Sequence, residues 1–420
     1  MRRPARGVAR LVSGAGLAAA LLLPAAVPAH AAPPSGMPAA DGKKGQQLPA
    51  MPSAFDAEAD DVACTPASKE KAEKQDWSRQ RLDLDRLHRH GTGAGVTVAL
   101  IDTGVATGAA GLDGRVSAQG AAGDDCVGHG TFLAGLIAGT GGDAPGLAGV
   151  APGAKILALR GTDERGTASA DLVVRALRDA TEARAQVIAV AVALPRRDAA
   201  LTRAVAEARR AGAVVVAAAT PDPPSRGGTD DIPSRTYWPA GEPGVLSVAD
   251  MLPGGTRPKD ALPTGGIDLA APGAGVVSGG PRGKGHYLGG GASVATAYTA
   301  GAAAVVRAAH PDDSADAVTR RLTATAYPAD IPQLDPYAAV TTVLGDAAAS
   351  TGAERAAEPV TVRDTASADR ATSRAGLLVL LGSAAVLAVL WGAFTFSRAR
   401  ARGWRPAEAG PTTAGRTAPE

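Results

Sequence analysis

The stretch VTVALIDTG, residues 96–104, combines a run of β-forming apolar residues with an acid and a glycine turn. The run lacks the alternation expected of a strand with one solvated face. It therefore predicts a strand buried on both faces, as in a parallel sheet. Asp102 follows directly at the end of this strand. Because ligands bind at the carboxyl ends of strands in open α/β sheets, we expect Asp102 to belong to a functional site.

Strands and helical segments of 10–15 residues alternate through residues 76–344, a pattern typical of βαβ units. We predict strands at residues 96–101, 155–159, 187–194, 213–219, 246–248 and 267–269. We predict helices at residues 129–139, 169–183, 199–211, 293–309 and 315–324. Residues 76–344 are therefore expected to form one α/β domain, with a parallel sheet flanked by helices.

Two glycine-rich segments carry further candidate catalytic side chains. GHGTFLAG, residues 128–135, places His129 at the start of a helix, and GGGASVATAYTAG, residues 289–301, places Ser293 likewise. A helix N-terminus presents free N–H groups and a positive dipole end, which favour a developing oxyanion. Taken alone, a histidine is more often structural, and this serine also fits a helix N-cap. Aspartic proteases also carry Asp-Thr-Gly, but they need two such triplets or a homodimer of a β-rich fold, and this chain has one triplet, inside an α/β pattern.

In the order Asp102, His129, Ser293, these blocks together resemble the active-site segments of the subtilisin-type serine proteases. The resemblance implies a subtilisin-like α/β fold and a catalytic triad. In that triad Ser293 attacks the peptide carbonyl, His129 carries the proton and Asp102 orients the histidine. Ala292 and Ala297 stand where the family has Thr and Pro, and neither change removes a catalytic atom.

The segment that would hold the oxyanion departs from the family. Subtilisins use the side-chain amide of an Asn that ends the sequence Ala-Ala-Gly-Asn, whereas this chain contains no asparagine. The nearest match, VVVAAATP at residues 214–221, places Thr220 at the glycine and Pro221 at the asparagine. Proline supplies no amide donor, and loss of this donor in a subtilisin costs about 10²–10³ in kcat. We expect a degenerate oxyanion hole, in which the Ser293 N–H remains and the Thr220 hydroxyl substitutes in part.

Other segments are similar to the mycosins, the membrane-anchored subtilases associated with type VII secretion. The similar segments are GVAPGAKIL, YWPA, PGVLSV and IDLAAPG, at residues 149–157, 237–240, 243–248 and 267–273. A cysteine three residues before His129, an N-terminal arm and one C-terminal apolar run complete the resemblance. It implies exported protein or peptide substrates and a type VII secretion membrane complex as partner. The substrate-lining strand differs, because AVAVA at residues 189–193 replaces Asn-x-Ser-Leu-Gly.

Both ends of the chain carry targeting signals. Residues 1–31 combine a basic start, an apolar run and the sequence Ala-His-Ala, which predicts a signal peptide. Residues 375–397 predict a transmembrane helix that anchors the protein in the lipid bilayer. More arginines follow this segment than precede it, so we expect an extracytoplasmic catalytic domain and a cytoplasmic tail at residues 398–420. Residues 32–75 are predicted to be an extended arm and residues 345–374 a flexible linker.

The composition and the cysteine count indicate which ligands and covalent links to expect. A net charge of +2 is too small to indicate nucleic-acid binding. We predict no metal or other cofactor, and we interpret Asp124 and Asp125 as turn acids. Cys64 and Cys126 are predicted to form a disulfide, as an even cysteine count favours in an exported protein. The alternatives are two free thiols or a Cys126–His129 catalytic pair. The remaining histidines of the domain are expected at the surface or in local hydrogen bonds; they are His88, His90, His286 and His310.

These features predict a membrane-anchored, extracytoplasmic serine endopeptidase that cleaves exported proteins. The altered oxyanion segment supports a second hypothesis of a different class. On that hypothesis the protein is a catalytically impaired pseudoprotease, which serves as a structural or peptide-binding component of a secretion complex.

Overall fold

A computed structural model of the chain describes residues 47–56, 63–222, 234–344 and 366–403. The predicted signal peptide, residues 1–31, lies outside these ranges, as does most of the predicted tail. The chain divides into two units between Leu344 and Gly345. The first unit holds every candidate catalytic residue, and the second holds the predicted membrane helix.

Seven parallel strands form the central sheet of the first unit. They are β1 (Thr97–Asp102), β2 (Val116–Ala118), β3 (Lys155–Arg160), β4 (Val187–Val190), β5 (Val214–Ala218), β6 (Leu246–Met251) and β7 (Leu269–Pro272). Their spatial order is β2-β3-β1-β4-β5-β6-β7. β1 therefore lies inside the sheet, between β3 and β4, and is buried from its second residue onward. The predicted α/β fold with a parallel sheet is confirmed.

Helices cover both faces of the sheet. They are α1 (Trp77–Arg81), α2 (Leu84–Leu87), α3 (His129–Ala138), α4 (Ala170–Glu182), α5 (Ala199–Arg210), α6 (Ala292–Ala309), α7 (Ala315–Ala324) and α8 (Pro336–Thr341). Successive side chains of a strand point to opposite faces. Val98 and Leu100 of β1 accordingly belong to the core that contains α3 and α6, whereas Ala99 and Ile101 belong to the core that contains α4 and α5.

Small residues let α6 lie close to its neighbours. A Cβ atom added at Gly301 would lie 2.7 Å from the Cβ atom of Val150, nearer than real Cβ contacts allow. Every residue of α6 from Ala292 to Val306 is buried, and most of them are alanine, glycine or threonine. The close approach explains how the domain packs a large core although only 3% of the chain is aromatic.

β4 ends earlier than the predicted strand at residues 187–194. Its ladders with β1 and β5 stop at Val190, although the Ala191 N–H still donates to the Ile101 carbonyl at 3.1 Å. Leu194 then pairs with Trp238 in an isolated bridge. The apolar run continues past Val190 because its residues line a cleft, which a sequence pattern does not distinguish from a buried strand.

The hairpin of β8 (Val276–Gly279) and β9 (His286–Gly289) was not predicted, and it anchors part of the N-terminal arm. The Met51 N–H donates to the Leu288 carbonyl of β9 at 2.7 Å. Further along the arm, a disulfide joins Cys64 to Cys126, and the Thr65 N–H donates to the Cys126 carbonyl at 2.9 Å. The disulfide therefore ties the arm to the loop that precedes α3.

Residues 366–403, the described part of the second unit, contain the long helix α9 (Ala366–Ala401). Its segment Leu378–Ala401, 24 residues long, is apolar and long enough to cross a membrane, and it covers most of the predicted span at residues 375–397. α9 begins inside the predicted linker, nine residues before the predicted span. The alanines and arginines of residues 366–374 have good helix propensity, which is consistent with a helix that begins there.

Candidate active site

Asp102, His129 and Ser293 meet at the carboxyl edge of the sheet. Asp102 is the last residue of β1, His129 the first residue of α3, and Ser293 the second residue of α6. His129 Nδ1 lies 2.9 Å from Asp102 Oδ1, and His129 Nε2 lies 3.2 Å from Ser293 Oγ. All three side chains are buried. The structure thus places the acid, imidazole and hydroxyl in one continuous hydrogen-bonded row.

A second acid, Asp125, organises the backbone in front of His129. Its carboxylate accepts the N–H groups of Gly128 and Thr131 at 2.7 and 2.8 Å. The Thr103 hydroxyl lies 2.9 Å from Asp125 Oδ1 and 3.1 Å from Asp102 Oδ1. Burial raises the pKa of Asp125, and these hydrogen bonds oppose the rise. Asp125 is therefore more than the turn acid that the sequence indicated, because it joins the start of α3 to the acid of the row.

The charge on His129 follows from its neighbours. Burial by itself lowers the pKa of this imidazole, but the carboxylates of Asp102 and Asp222 outweigh burial and raise the pKa well above its ordinary value. Asp102 lies at Nδ1, and Asp222 Oδ2 lies 3.3 Å from Nε2. Both ring nitrogens therefore face a carboxylate, and the protonated imidazolium is the favoured form.

Ser293 sits at an N-terminus shaped by Gly291. Gly291 has a φ of 115°, a region that favours glycine. The N–H of Ser293 belongs to the first turn of α6, where backbone donors have no partner within the helix. In this structure that N–H donates to Asp222 Oδ1 at 3.0 Å. The donor expected to hold an oxyanion is thus already engaged by a side chain of the same molecule.

Asp222 is the functional candidate that the sequence argument did not identify. Its Oδ2 also accepts the Ser293 hydroxyl at 2.5 Å. A Cβ atom at Gly291 would collide with this carboxylate, so the glycine makes room for it. The position that matches the family's asparagine is Pro221, and Asp222 is the next residue. The signal in the sequence is that Asp222 is the first charged residue after β5, near the carboxyl end of a strand, where ligands bind in open α/β sheets.

Thr220 and Pro221, the two residues predicted to form the degenerate oxyanion hole, directly precede Asp222 in the chain. Thr220 is buried, at 3% exposure. Pro221 lines the same cleft as Asp102, His129 and Asp222. Their predicted part in holding an oxyanion stays a prediction, whereas contact with the Ser293 N–H is made by the residue that follows them.

A cleft of about 340 Å³ opens in front of this row. One wall is the segment that follows β4, residues 191–195, which contains most of the predicted substrate-lining sequence. Ala189 and Val190 of that sequence lie within β4 itself. The N-terminal arm contributes Ser53 and Ala54 to the lining. The walls are mostly apolar, and Asp102 and His129 of the row belong to the lining.

Other titratable groups of the domain make local contacts. His310 Nε2 lies 2.9 Å from the Val340 carbonyl, and His286 Nδ1 accepts the Ala72 N–H at 2.9 Å, in keeping with the local roles predicted for them. Across the ranges that the structure describes, no group of three or more His, Cys, Asp or Glu side chains is arranged to hold a metal ion.

Comparison with known proteins identifies the family. Residues 93–367, more than half of the chain, match the Subtilase family of S8 peptidases. The chain belongs to the subtilase family. The fold and the order of the active-site blocks had predicted this membership, and the match confirms it.

Individual relatives of this subtilase include a mycosin and several subtilisins. Mycosin-3 of Mycobacterium tuberculosis is 30% identical over 312 residues, which cover 60% of this chain and 66% of Mycosin-3. The chain thus spans slightly less than two thirds of that relative. Subtilisin Savinase of Lederbergia lenta is 31% identical over 264 residues, covering 61% of this chain and 92% of Savinase.

Solved structures of mycosins are also similar to this chain. MycP1 from Mycobacterium smegmatis superimposes with a TM-score of 0.59 at 26% identity, covering 71% of this chain and 93% of MycP1. The MycP3 protease from the type VII (ESX-3) secretion system superimposes with a TM-score of 0.59 at 29% identity, covering 71% of this chain and 98% of MycP3. The predicted resemblance to the mycosins is confirmed.

Proposed function

We propose that this subtilase is a membrane-anchored serine endopeptidase that cleaves exported proteins outside the cytoplasm. The observation that carries the proposal is the row of Asp102, His129 and Ser293, joined by contacts of 2.9 and 3.2 Å at the edge of a cleft. An acid, a base and a hydroxyl in this order suffice for acyl transfer through a covalent intermediate.

Each residue has a distinct part in the proposed reaction. Ser293 Oγ attacks the peptide carbonyl and passes its proton to His129 Nε2, which later gives it to the leaving amine. Asp102 holds Nδ1 and stabilises the imidazolium that forms. The Ser293 N–H and the positive end of α6 favour the oxyanion. The substrate lies as an added strand along residues 191–193, held by main-chain hydrogen bonds.

The proposed location of the catalytic domain, outside the cytoplasm and at a membrane, is supported by α9 and by the disulfide. α9 would anchor the protein, and Arg398, Arg400 and Arg402 at its end would remain in the cytoplasm. The disulfide between Cys64 and Cys126 suits an oxidising compartment. Because relatives of known structure are proteases from type VII secretion systems, we propose that this protein works beside such a membrane complex.

A fluorophosphonate probe tests the proposal. The probe is applied to the full chain in detergent, and cleavage of casein and a peptide library is followed in parallel. We expect labelling and cleavage that disappear in Ser293→Ala. Ser117→Ala serves as the matched control, because Ser117 lies in β2 at the far edge of the sheet. Full cleavage by Ser293→Ala would contradict the proposal.

One observation favours a second function. Asp222 occupies the donor that an oxyanion needs, and the chain has no asparagine to replace it. A subtilase in this state would bind peptides in the cleft without cleaving them, as a component of a secretion complex. Peptide binding that survives in Ser293→Ala, together with no cleavage by the unaltered chain, would support this binding function over the enzyme.

A further inference from the structure

We propose that Asp222 is a fourth residue of the reaction centre, which blocks the oxyanion site when ionised and acts as its second hydrogen-bond donor when protonated. This inference rests on the proposed protease function and adds its regulation. Its first support is position. Asp222 Oδ1 lies 3.0 Å from the Ser293 N–H, and Oδ2 lies 2.5 Å from Ser293 Oγ.

A carboxylate in this position imitates a reaction intermediate. The oxyanion of a tetrahedral intermediate is a negatively charged oxygen that accepts the Ser293 N–H. Asp222 Oδ1 is an oxygen of the same kind on the same donor. A substrate carbonyl must therefore displace it, and a nearby ionised carboxylate would repel the charge that develops on that carbonyl.

The surrounding structure leaves a defined space for the Asp222 side chain. The Asp222 side chain is only 8% exposed. Gly291, with a φ of 115°, leaves the space that the carboxylate fills. The contact therefore depends on a backbone conformation and on an absent Cβ atom as well as on two hydrogen bonds, which distinguishes it from a chance contact at the surface.

The charges around Asp222 explain how it would control the proton. Among the described residues, Asp222 faces the imidazole of His129, Asp102 lies on the far side of that ring, and Asp250 is close enough to feel the charge of Asp222. Arg257 lies 3.6 Å from Asp250. Burial raises the pKa of Asp250 to about 6, and the charge of Asp222 contributes to the rise. Asp102 and Asp222 thus flank one imidazole, and Asp250 has the guanidinium of Arg257 as its cationic neighbour.

The resting arrangement has no free base. With both flanking carboxylates ionised, His129 holds a proton, and the Ser293 hydroxyl donates to Asp222. The reactive form contains the same number of protons. The His129 Nε2–H bond breaks and an Asp222 Oδ2–H bond forms across 3.3 Å, which leaves a neutral imidazole and a neutral acid. His129 can then accept the Ser293 proton, and the acid O–H can donate to the oxyanion.

The pH dependence of cleavage distinguishes this mechanism from an ordinary triad. A second proton on the His129–Asp222 pair protonates the imidazole and so removes the base. Loss of the shared proton ionises Asp222 and so removes the second donor to the oxyanion. Cleavage by the unaltered chain should therefore follow a bell-shaped curve. Asp222→Asn supplies a permanent donor of the same shape, so its rate should rise with His129 deprotonation and then stay level at high pH.

The sizes of the changes in kcat/KM distinguish the donor role of Asp222 from its blocking role. At the optimum we expect kcat/KM of Asp222→Asn to exceed that of the unaltered chain by at least about 10-fold, because His129 keeps the shared proton in most molecules of the unaltered chain, whereas the amide donor is always present. Asp222→Ala removes the block but supplies no donor, so it should fall about 10²–10³-fold below Asp222→Asn. Asp171→Asn, an exposed change of the same charge at the start of α4, should leave both the rate and the curve unchanged.

The experiment measures the pH profiles of all four full-length proteins and follows the His129 imidazole by NMR. A bell-shaped curve in Asp222→Asn, or Asp222→Ala as fast as Asp222→Asn, would overturn the inference. If no protein cleaves peptides in a Ser293-dependent way, the proposed protease function fails separately. The imidazole titration still tests the contact on which the inference depends, because the pKa of His129 should fall in Asp222→Asn, and an unchanged pKa would overturn the inference.

Discussion

Removing the disulfide should destabilise the catalytic domain by about 4 kcal/mol. Cys64 and Cys126 are 62 residues apart, and the bond confines that loop in the unfolded chain. In the chain-entropy model a closed loop of this length is worth about 4 kcal/mol at 25 °C. For a large domain such a change lowers Tm by about 8–16 °C. The variant is Cys64→Ser combined with Cys126→Ser.

The folded contacts near the bond should largely survive in this variant. Thr65 donates both its N–H, to the Cys126 carbonyl, and its hydroxyl, to the Val127 carbonyl. The loss should therefore arise mainly in the unfolded state, and the arm should stay in place. Urea unfolding is followed by tryptophan fluorescence, since the Trp77 indole donates to the Ala274 carbonyl within the fold.

Two controls accompany the measurement. Dithiothreitol should destabilise the unaltered chain by the same amount and leave the double variant unchanged. A loss of less than about 1 kcal/mol would refute the reasoning, because it would mean that the unfolded chain gains little freedom when the loop opens.

Three further changes test other parts of the structure. Arg79→Met should cost about 3–5 kcal/mol in urea unfolding, because it leaves Asp76 buried without the guanidinium that lies 2.7 Å away; a loss under about 1 kcal/mol would contradict this. Asp102→Asn should lower kcat about 10⁴-fold, with little change in KM, because the amide cannot hold the reactive tautomer of His129; retained kcat would exclude the triad. Burial raises the pKa of Asp250 to about 6 from 3.8, so the folded state binds its proton more tightly and loses stability as pH rises from about 4 to about 6. The stability of Asp250→Asn relative to the unaltered chain should grow by about 3 kcal/mol over that interval, and a constant difference would show that the carboxyl is not perturbed.

Much of the fold follows from local pattern, because buried parallel strands and amphipathic helices have distinct periods. The strand that ends at Asp102 and the helix at residues 170–182 appeared within one or two residues of their predicted bounds. β2, with three residues, and α2, with four, are too short to show a period and depend on tertiary contacts. The strand predicted at residues 187–194 is longer than β4, because the residues that line the cleft are as apolar as those of a buried strand.

The contrast between Asp102 and Asp222 explains why part of the site escaped prediction. Asp102 sits at a strand end that the backbone pattern itself defines, so its position at the sheet edge could be worked out from sequence. Asp222 lies two residues beyond Thr220, after a proline, in a segment whose path no periodic pattern fixes. Its contact with Ser293 joins residues 71 positions apart and requires the gap at Gly291. A family motif indicates only that the expected asparagine is absent from this chain. The physical question is which polar group reaches the Ser293 N–H, and here the answer is a carboxylate, which changes the expected charge of the site as well as its strength.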